Sequence, residues 1–313
     1  MFATTRVFPA GMPRRRHSDD APRGRWASRE RYVGPFMASR SKPPKSTSEL
    51  LERMRVDGQL DLDDHDPGET FGWEKEDAKA KLADEVATLS ELQTLMFAEG
   101  KQSVLVVLQA MDAGGKDGVL REVLVGLNPV GVRVTPFGVP TEDELAHDFL
   151  WRIHQHTPAH GEIGVFNRSH YEDVLVVRVN KLAPPDVWRK RYGHIRTFEQ
   201  TLVDEGTTIV KLYLNISNEE QRERLQDRVD SPDERWKFRL GDLDDRKLWP
   251  EYMKAYHDAL VRTSTPSAPW YVIPADRKWV RNLAVACILR HTLDALDPKV
   301  PPADPGIDGL KVV

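Results

Sequence analysis

A single cysteine, Cys287, occurs in the 313 residues, so no intrachain disulfide can form and a reducing compartment is expected. Long apolar runs are also missing. The most hydrophobic stretch, Val104 to Met111, stops at Asp112, well short of the ~18 residues a membrane-spanning helix requires. No signal-peptide apolar core is present either, so a cytoplasmic protein without a membrane partner is expected. No Gly-x-Ser-x-Gly elbow and no cysteine-based nucleophile arrangement occurs, which leaves no sign of covalent nucleophilic catalysis. Internal repeats are absent. Net charge is small, −4, which argues against a protein that coats nucleic acid. What remains is 40% hydrophobic and 30% charged, the composition of one soluble core of about 200 to 250 residues with tails.

The charge is unevenly placed. The first 48 residues hold eleven Lys or Arg against three acids, so the remaining 265 carry −12. Residues 1–36 are rich in Arg, Pro, Gly and Ser without apolar periodicity and read as a disordered basic extension. Three origins stay open for it: an organelle-targeting segment, a basic arm that touches an anion, or an overlong start with the initiator at Met37. Residues 37–75 form an arm, 76–296 the folded domain, and the Pro-rich 297–313 a loose tail.

From Glu76 the periodicity is helical, with Leu82, Val86, Leu89, Leu92 and Met96 three and four apart and Gly100 as a stop. Val104 to Leu108 reads as a buried strand, followed by a glycine-rich turn and a helix running through Leu127 to the Asn128-Pro129 pair. Val132 to Thr135 is a second strand. Thr141 and Glu144 form a capping box that opens a helix with Leu145, Phe149 and Ile153 on one face. Ile163 to Phe166 and Thr208 to Leu214 are further strands, separated by a helix entered at Pro184-Pro185 that carries Trp188, Tyr192, Ile195, Phe198 and Leu202. Tyr271 to Pro274 feeds a last helix striped by Val280, Leu283, Ala284, Cys287 and Ile288. Strands alternating with helices indicate an α/β fold with a parallel sheet covered on both faces. Ligands then belong in the loops after Leu108, Thr135 and Phe166.

The strongest local signal is QAMDAGGKDG at 109–118, placed between the first strand and a helix as a phosphate-binding loop requires. Ala113, Gly114, Gly115 and Gly118 allow backbone N–H groups to approach phosphate, and Lys116 supplies a point charge. Against GxxxxGK[ST], Ala110 stands at the first glycine and Asp117 replaces the hydroxyl residue that holds Mg²⁺. Asp112 and Asp117 are hard-oxygen candidates for the metal. GVFNRSHYED (164–173) puts Asn167 and Arg168 at the end of the third strand, where they can orient phosphate oxygens and neutralise charge. Glu172 and Asp173 fit equally well as acids at a helix start. Between Arg222 and Lys247, Arg224 with Arg228 and Arg235 with Arg239 are i,i+4 pairs on either side of the helix-breaking Ser231-Pro232. A cationic lid over 222–247 is one reading of this stretch, and a solvated charged helix the other. Trp249, Tyr252, Met253, Tyr256 and Leu260 read as core. His154, His156 and His160 lack a Cys or acidic partner at zinc spacing.

Taken in order, QAMDAGGKDG, HDFLWR (147–152), FNRSHYEDVLVVRV (166–179), RWKFRLGDLDDRKLWPEYMKAY (235–256) and APWYVIPADRKW (268–279) resemble the second family of polyphosphate kinases, the polyphosphate:nucleotide phosphotransferases. The resemblance covers about Phe71 to Leu296. It implies a thymidylate-kinase-like, three-layer α/β/α P-loop kinase fold with a helical lid. Inorganic polyphosphate is then the donor, ADP, GDP or AMP the acceptor, Mg²⁺ or Mn²⁺ the cofactor, and the enzyme a homo-oligomer, dimer or tetramer. Asp117 after the loop lysine and Asn167 after the third strand resemble the branch that accepts nucleoside diphosphates and, in some members, monophosphates. The resemblance also assigns roles. Lys116 and Asp112 are the loop lysine and aspartate, Arg121 faces the polyphosphate chain, and Asn167 and Arg168 hold phosphates near the transfer point. Glu172, with Asp173 and Arg178, lies on the nucleotide side. Arg224 is the lid arginine, and Arg228, Lys237 and Arg239 are further phosphate contacts.

The expected activity is reversible phosphoryl transfer from polyphosphate to a nucleotide. A conventional ATP-dependent nucleotide kinase and a non-catalytic phosphate-binding module are the alternatives. Counted from Met37 the chain carries −9, so a polyanion could be drawn in only by a narrow channel where Lys116, Arg121, Arg168 and Arg224 converge.

Overall fold

Turn signals at glycine and proline divide the apolar runs into five strands in the computed structural model, which describes residues 43–311. The basic extension 1–36 lies outside the described residues. The strands β1 (Ser103–Ala110), β2 (Val132–Pro136), β3 (Ile163–Asn167), β4 (Thr207–Asn215) and β5 (Trp270–Pro274) form one parallel sheet ordered β2-β3-β1-β4-β5. The helices are α1 (Thr47–Met54), α2 (Lys75–Glu99), α3 (Lys116–Val123), α4 (Glu142–Leu145), α5 (Trp151–His154), α6 (Val176–Val179), α7 (Pro185–Asp204), α8 (Asn218–Asp230), α9 (Gly241–Lys247), α10 (Trp249–Thr263) and α11 (Lys278–Leu296). α11 packs on α2 and α3, while α10 packs on α6 and α7; β4 lies between α11 and α7. This is the three-layer α/β/α arrangement expected. β1 is buried along its whole length, as a central strand covered on both faces must be. Among the described residues no helix is long and apolar enough to cross a membrane.

The arm closes one edge of the sheet. Arg55 bridges antiparallel to Tyr271 and Val56 N–H donates to Trp270 O at 2.9 Å, so β5 offers no free ladder there. Further on, the arm crosses the carboxyl ends of β4 and β5, where Asn215 Nδ2 donates to His65 O (2.8 Å) and Asp276 N–H to Pro67 O (3.1 Å).

Three expectations require correction. The helix after the glycine loop ends at Val123, not Leu127, because side chains of α2 take over the backbone groups that follow. Ser90 Oγ donates to Gly126 O at 2.6 Å, and Gln93 Oε1 accepts from Asn128 N–H at 3.0 Å. The capping box at Thr141 forms, but its helix stops at Leu145. Asp148 Oδ1 accepts from Leu150 N–H at 3.0 Å and starts a separate turn, leaving Leu145 69% exposed while Ile153 is buried. Finally, Arg235 and Arg239 do not share a helix face. Arg235–Lys237 is one 3-10 turn, and Arg239 precedes α9 in extended or turn backbone.

Deep in the core, Lys211 of β4 is fully buried. Its ammonium donates to Glu199 Oε2 (2.6 Å), Thr263 O (2.7 Å) and the Tyr171 hydroxyl (3.1 Å). Glu199 Oε1 in turn accepts from Tyr171 OH at 2.7 Å and lies 3.2 Å from His170 Nε2. The three ammonium protons are therefore all used, which is the condition under which a buried charge pair is tolerated. The network fastens the residues that immediately follow Arg168 to α7 and α10.

Candidate active site

Register brings the loop and the third strand's exit together. Leu108 of β1 pairs with Asn167 of β3, and Arg168 N–H donates to Leu108 O at 3.1 Å. The crevice at these carboxyl ends is where the chain order of the sheet reverses. Ala113 and Arg168 both take positive φ, 59° and 63°, a conformation that side-chain-bearing residues rarely adopt and that is found at functional sites. Gly114 must be glycine for want of space: a Cβ there would lie 2.7 Å from Ala110 Cβ and 2.9 Å from Met111 O.

Lys116 opens α3 and folds back over the loop, where its ammonium donates to Ala110 O at 2.9 Å and to Met111 O at 3.4 Å. Burial, and Arg168 nearby, push its pKa down to about 8. Arg168 Nη2 donates to Asp112 Oδ1 at 2.6 Å, and Asn167 Nδ2 donates to Asp117 Oδ1 at 3.2 Å, so the two strand-end residues each hold one of the loop's aspartates. Burial raises the Glu172 carboxyl above its ordinary range against the pull of Arg168 and Lys116. Turned with its oxygen toward Ser169, the Gln109 amide donates to Glu172 Oε1 at 3.1 Å. Asp112, Lys116, Asn167, Arg168 and Glu172 thus form one cluster. Two cations face a loop rich in backbone donors, a combination built to hold phosphate.

Other expected site residues lie elsewhere. Arg224 is not a lid arginine in this arrangement. It is buried on the inner face of α8, where its guanidinium donates to Ala113 O (3.1 Å), Ala275 O (2.7 Å), Asp276 O (2.8 Å) and Glu220 Oε1 (2.8 Å). Four of five N–H groups are committed, so it braces the loop from behind. The protruding segment begins only at Ser231, which caps α8 in the extended conformation that the following proline imposes. Lys237 there pairs with Glu234 at 2.7 Å. Arg239 is exposed and Arg228 half-buried. Arg178 donates to Asp258 (2.6 Å) and Tyr192 (3.0 Å) and lies over the Trp188 ring, joining α6, α7 and α10. Asp173 accepts from Arg191 at 2.7 Å, with burial lifting its pKa to about 6. Neither bonds to the loop among the described residues. Arg121 is exposed in the last turn of α3.

Several participants escaped sequence reasoning. Tyr252 and Tyr256 are core residues, as helical spacing indicates, but together with Asp245 they also line the cleft that holds Asp112 and Arg168. Tyr252 OH donates to Asp245 Oδ1 at 2.8 Å, and that polar end was the overlooked signal. Buried Gln221 donates to Asp112 O at 2.9 Å and accepts from Arg246 at 3.0 Å. A glutamine on the inner face of α8, four residues ahead of Leu225, could have been noticed.

Similarity to known proteins agrees with this geometry. The sequence model of the family described as Polyphosphate kinase 2 (PPK2) matches residues 72–301. An AMP/ADP-polyphosphate phosphotransferase of Meiothermus ruber is 57% identical over 251 residues, covering 80% of this chain and 94% of that protein. An ADP-polyphosphate phosphotransferase of Rhodopseudomonas palustris is 44% identical, covering 74% of this chain and 84% of its own length. The crystal structure of Polyphosphate Kinase 2 from Arthrobacter aurescens TC1 superposes with a TM-score of 0.81 at 44% identity, covering 86% of this chain and 96% of that one. With a phosphate loop backed by Arg224 and meeting Arg168 at the carboxyl ends of two neighbouring parallel strands, and with these relatives, the chain belongs to the polyphosphate kinase 2 family.

Proposed function

We propose that the protein transfers the terminal phosphoryl group of inorganic polyphosphate to a nucleoside mono- or diphosphate, making ADP from AMP and ATP from ADP, with GDP as a further acceptor. The observation that carries the reading is the cluster of Lys116, Arg168 and the glycine loop beside a cleft lined by Asp112, Arg168, Glu172, Asp245 and two tyrosines. Support for both acceptors comes from the Meiothermus relative, whose name includes AMP and ADP. An acceptor phosphate oxygen attacks the terminal phosphorus in line, and the bridging oxygen leaves with the shortened chain. One phosphoanhydride is broken and one is formed, so the reaction runs in either direction.

No covalent enzyme intermediate is needed, and rate comes from positioning and from neutralising the equatorial oxygens. Lys116 and Arg168 are placed for that, with Asp112 orienting Arg168 through its 2.6 Å contact and Asn167 steadying Asp117. The carboxylates Asp112 and Asp117 suit Mg²⁺ or Mn²⁺. Among the described residues no three His, Cys, Asp or Glu side chains group closely enough to cage a metal alone, so such an ion would have to draw its remaining ligands from phosphate and water. When bound, that ion would offset charge on the phosphate oxygens. On the same reading the enzyme works in the cytoplasm as a homo-oligomer, a dimer or tetramer.

Initial rates with AMP, ADP and GDP at saturating polyphosphate, beside a control with ATP as sole donor, test the acceptor range. Phosphorylation from ATP but not from polyphosphate would refute the reading. pH offers a second check. Lys116 is charged below a pKa of about 8 and neutral above it, so the unliganded site loses its cation as pH rises, and binding of a polyanion must then recapture a proton. KM for polyphosphate should therefore be flat up to about pH 7.5 and climb by up to about tenfold per unit above it. A KM unchanged up to about pH 9.5 would contradict the placement of Lys116 on the donor.

A further inference from the structure

α11 begins just after β5, and its first turn lies against the start of α3. Arg281, in that turn, is 2% exposed. Its guanidinium presses on the phosphate loop: a Cβ on Gly115 would sit 1.8 Å from Nη1, and one on Gly118 would sit 2.5 Å from Nη2. Two of the loop's glycines therefore make room for an arginine behind them. The guanidinium donates from Nε (3.0 Å) and Nη2 (2.8 Å) to one neutral acceptor, Asn282 Oδ1, and among the described residues Nη1 has no protein acceptor while keeping a sliver of solvent access. Among the described residues no carboxylate lies within ion-pair distance of it.

The other buried arginines differ. Arg152 has Glu144, and Arg224 has Glu220 with three carbonyls. Around Arg281 the nearby charges are Arg224, Arg121 and a single acid, Glu122. Burial lowers its pKa to about 10, which still leaves it charged at neutral pH. A cation buried to this degree without an acid costs several kcal/mol, and the fold packs this one against the bare backbone of Gly115 and Gly118. The missing partner is an anion, and the loop that Arg281 touches is the one that binds phosphate.

Building on the proposed polyphosphate reaction, we propose that Arg281 is a donor-binding residue: from the start of α3 toward Arg121 in its last turn it carries the positive site beyond Lys116, and phosphates of the polyphosphate tail supply its counter-charge. The tail then lies along the start of α3, on the side of the loop facing α11, while the acceptor nucleotide occupies the cleft by Arg168. A single inorganic phosphate has the same chemistry but cannot reach both the transfer point and this side.

The test is a chain-length series with wild type, Arg281→Gln and Arg281→Lys. For long polyphosphate, Arg281→Gln should raise KM about ten- to hundredfold, the loss of one charge-assisted contact, with the KM for ADP changed less than about twofold. The increase should shrink for tripolyphosphate, and Arg281→Lys should recover part of it. Thermal unfolding separates binding from folding: without ligand Arg281→Gln should melt at or above the wild-type temperature, because an unpaired buried charge is gone, and polyphosphate should raise its melting temperature less than it does for wild type. Equal KM increases for ADP and polyphosphate would overturn the proposal. So would a lowered melting temperature with an undiminished polyphosphate shift. A wild type that makes no ATP from polyphosphate would overturn the underlying reaction and the proposal with it, whereas failure in the variants alone leaves the reaction standing.

Discussion

Replacing Lys116 by alanine should lower the initial rate of ATP formation from ADP and polyphosphate by on the order of 10² or more, as loss of a preorganised electrostatic donor does. The side chain is held by Ala110 O and Met111 O over the loop mouth, so its charge is positioned before substrate arrives. Arg168 cannot substitute for it, since that guanidinium is already committed to Asp112. The folded protein should tolerate the change well. A lysine whose pKa falls to about 8 through burial is a charge that the unliganded fold disfavours at neutral pH, so the variant should melt no lower than wild type. Lys116→Arg should rescue poorly, because a planar fork does not replace a compact ammonium in this geometry. Wild-type turnover by Lys116→Ala would remove the lysine from the mechanism. Lost turnover together with a collapsed melting temperature would show that it serves the fold instead.

The largest stability effect is expected at a distance from the chemistry, in the buried pair of Lys211 and Glu199. Both are essentially inaccessible, at 0% and 1% exposure, and each completes the other's hydrogen bonding. Glu199→Leu leaves a lysine ammonium in the core with only Thr263 O and Tyr171 OH, strips His170 of its partner, and leaves Tyr171 OH with Thr263 Oγ1 alone as acceptor. Breaking such a pair from one side costs about 3–5 kcal/mol. The double change Glu199→Leu with Lys211→Met should recover much of that loss, because two apolar groups leave no orphaned charge. Denaturant unfolding of the two single variants and the double variant measures the coupling directly. Additive losses would show that the pair is not the unit described. The network also fixes the segment from Ser169 to Tyr171, so the single variant should lose activity through a loosened Arg168 even where it remains folded.

Sequence and structure agree where local chemistry and tertiary context point the same way. All five strands were legible because each is ended by a turn signal and all but the largely exposed β2 are dominated by apolar residues, and β1 with its glycine loop was the clearest. The loop residues, Asn167 and Arg168 were legible because strand ends in a parallel sheet converge. The acidic and basic stretch after Arg222 was misjudged for the opposite reason: charge spacing carries no information about which face is buried, and Arg224 turned inward to backbone carbonyls. Helix lengths were overestimated where side chains of another element, such as Ser90 and Gln93, took over backbone groups. Arg281 was hidden inside an apolar stripe. Its signal was that α11 is apolar on every side from Val280 to Leu289 except for Arg281 and Asn282, and a helix buried all round has no solvent face on which to put a charge. The small net charge of the chain hid a local concentration of cations around one loop.

Polyphosphate itself supplies the transferred phosphoryl group. Purified full-length protein given ADP, Mg²⁺ and polyphosphate labelled with ³²P, with no ATP present, should produce ATP whose terminal phosphate carries the label while the polyphosphate shortens. Absence of labelled ATP, in a preparation that phosphorylates AMP when ATP is the donor, would contradict polyphosphate as the source.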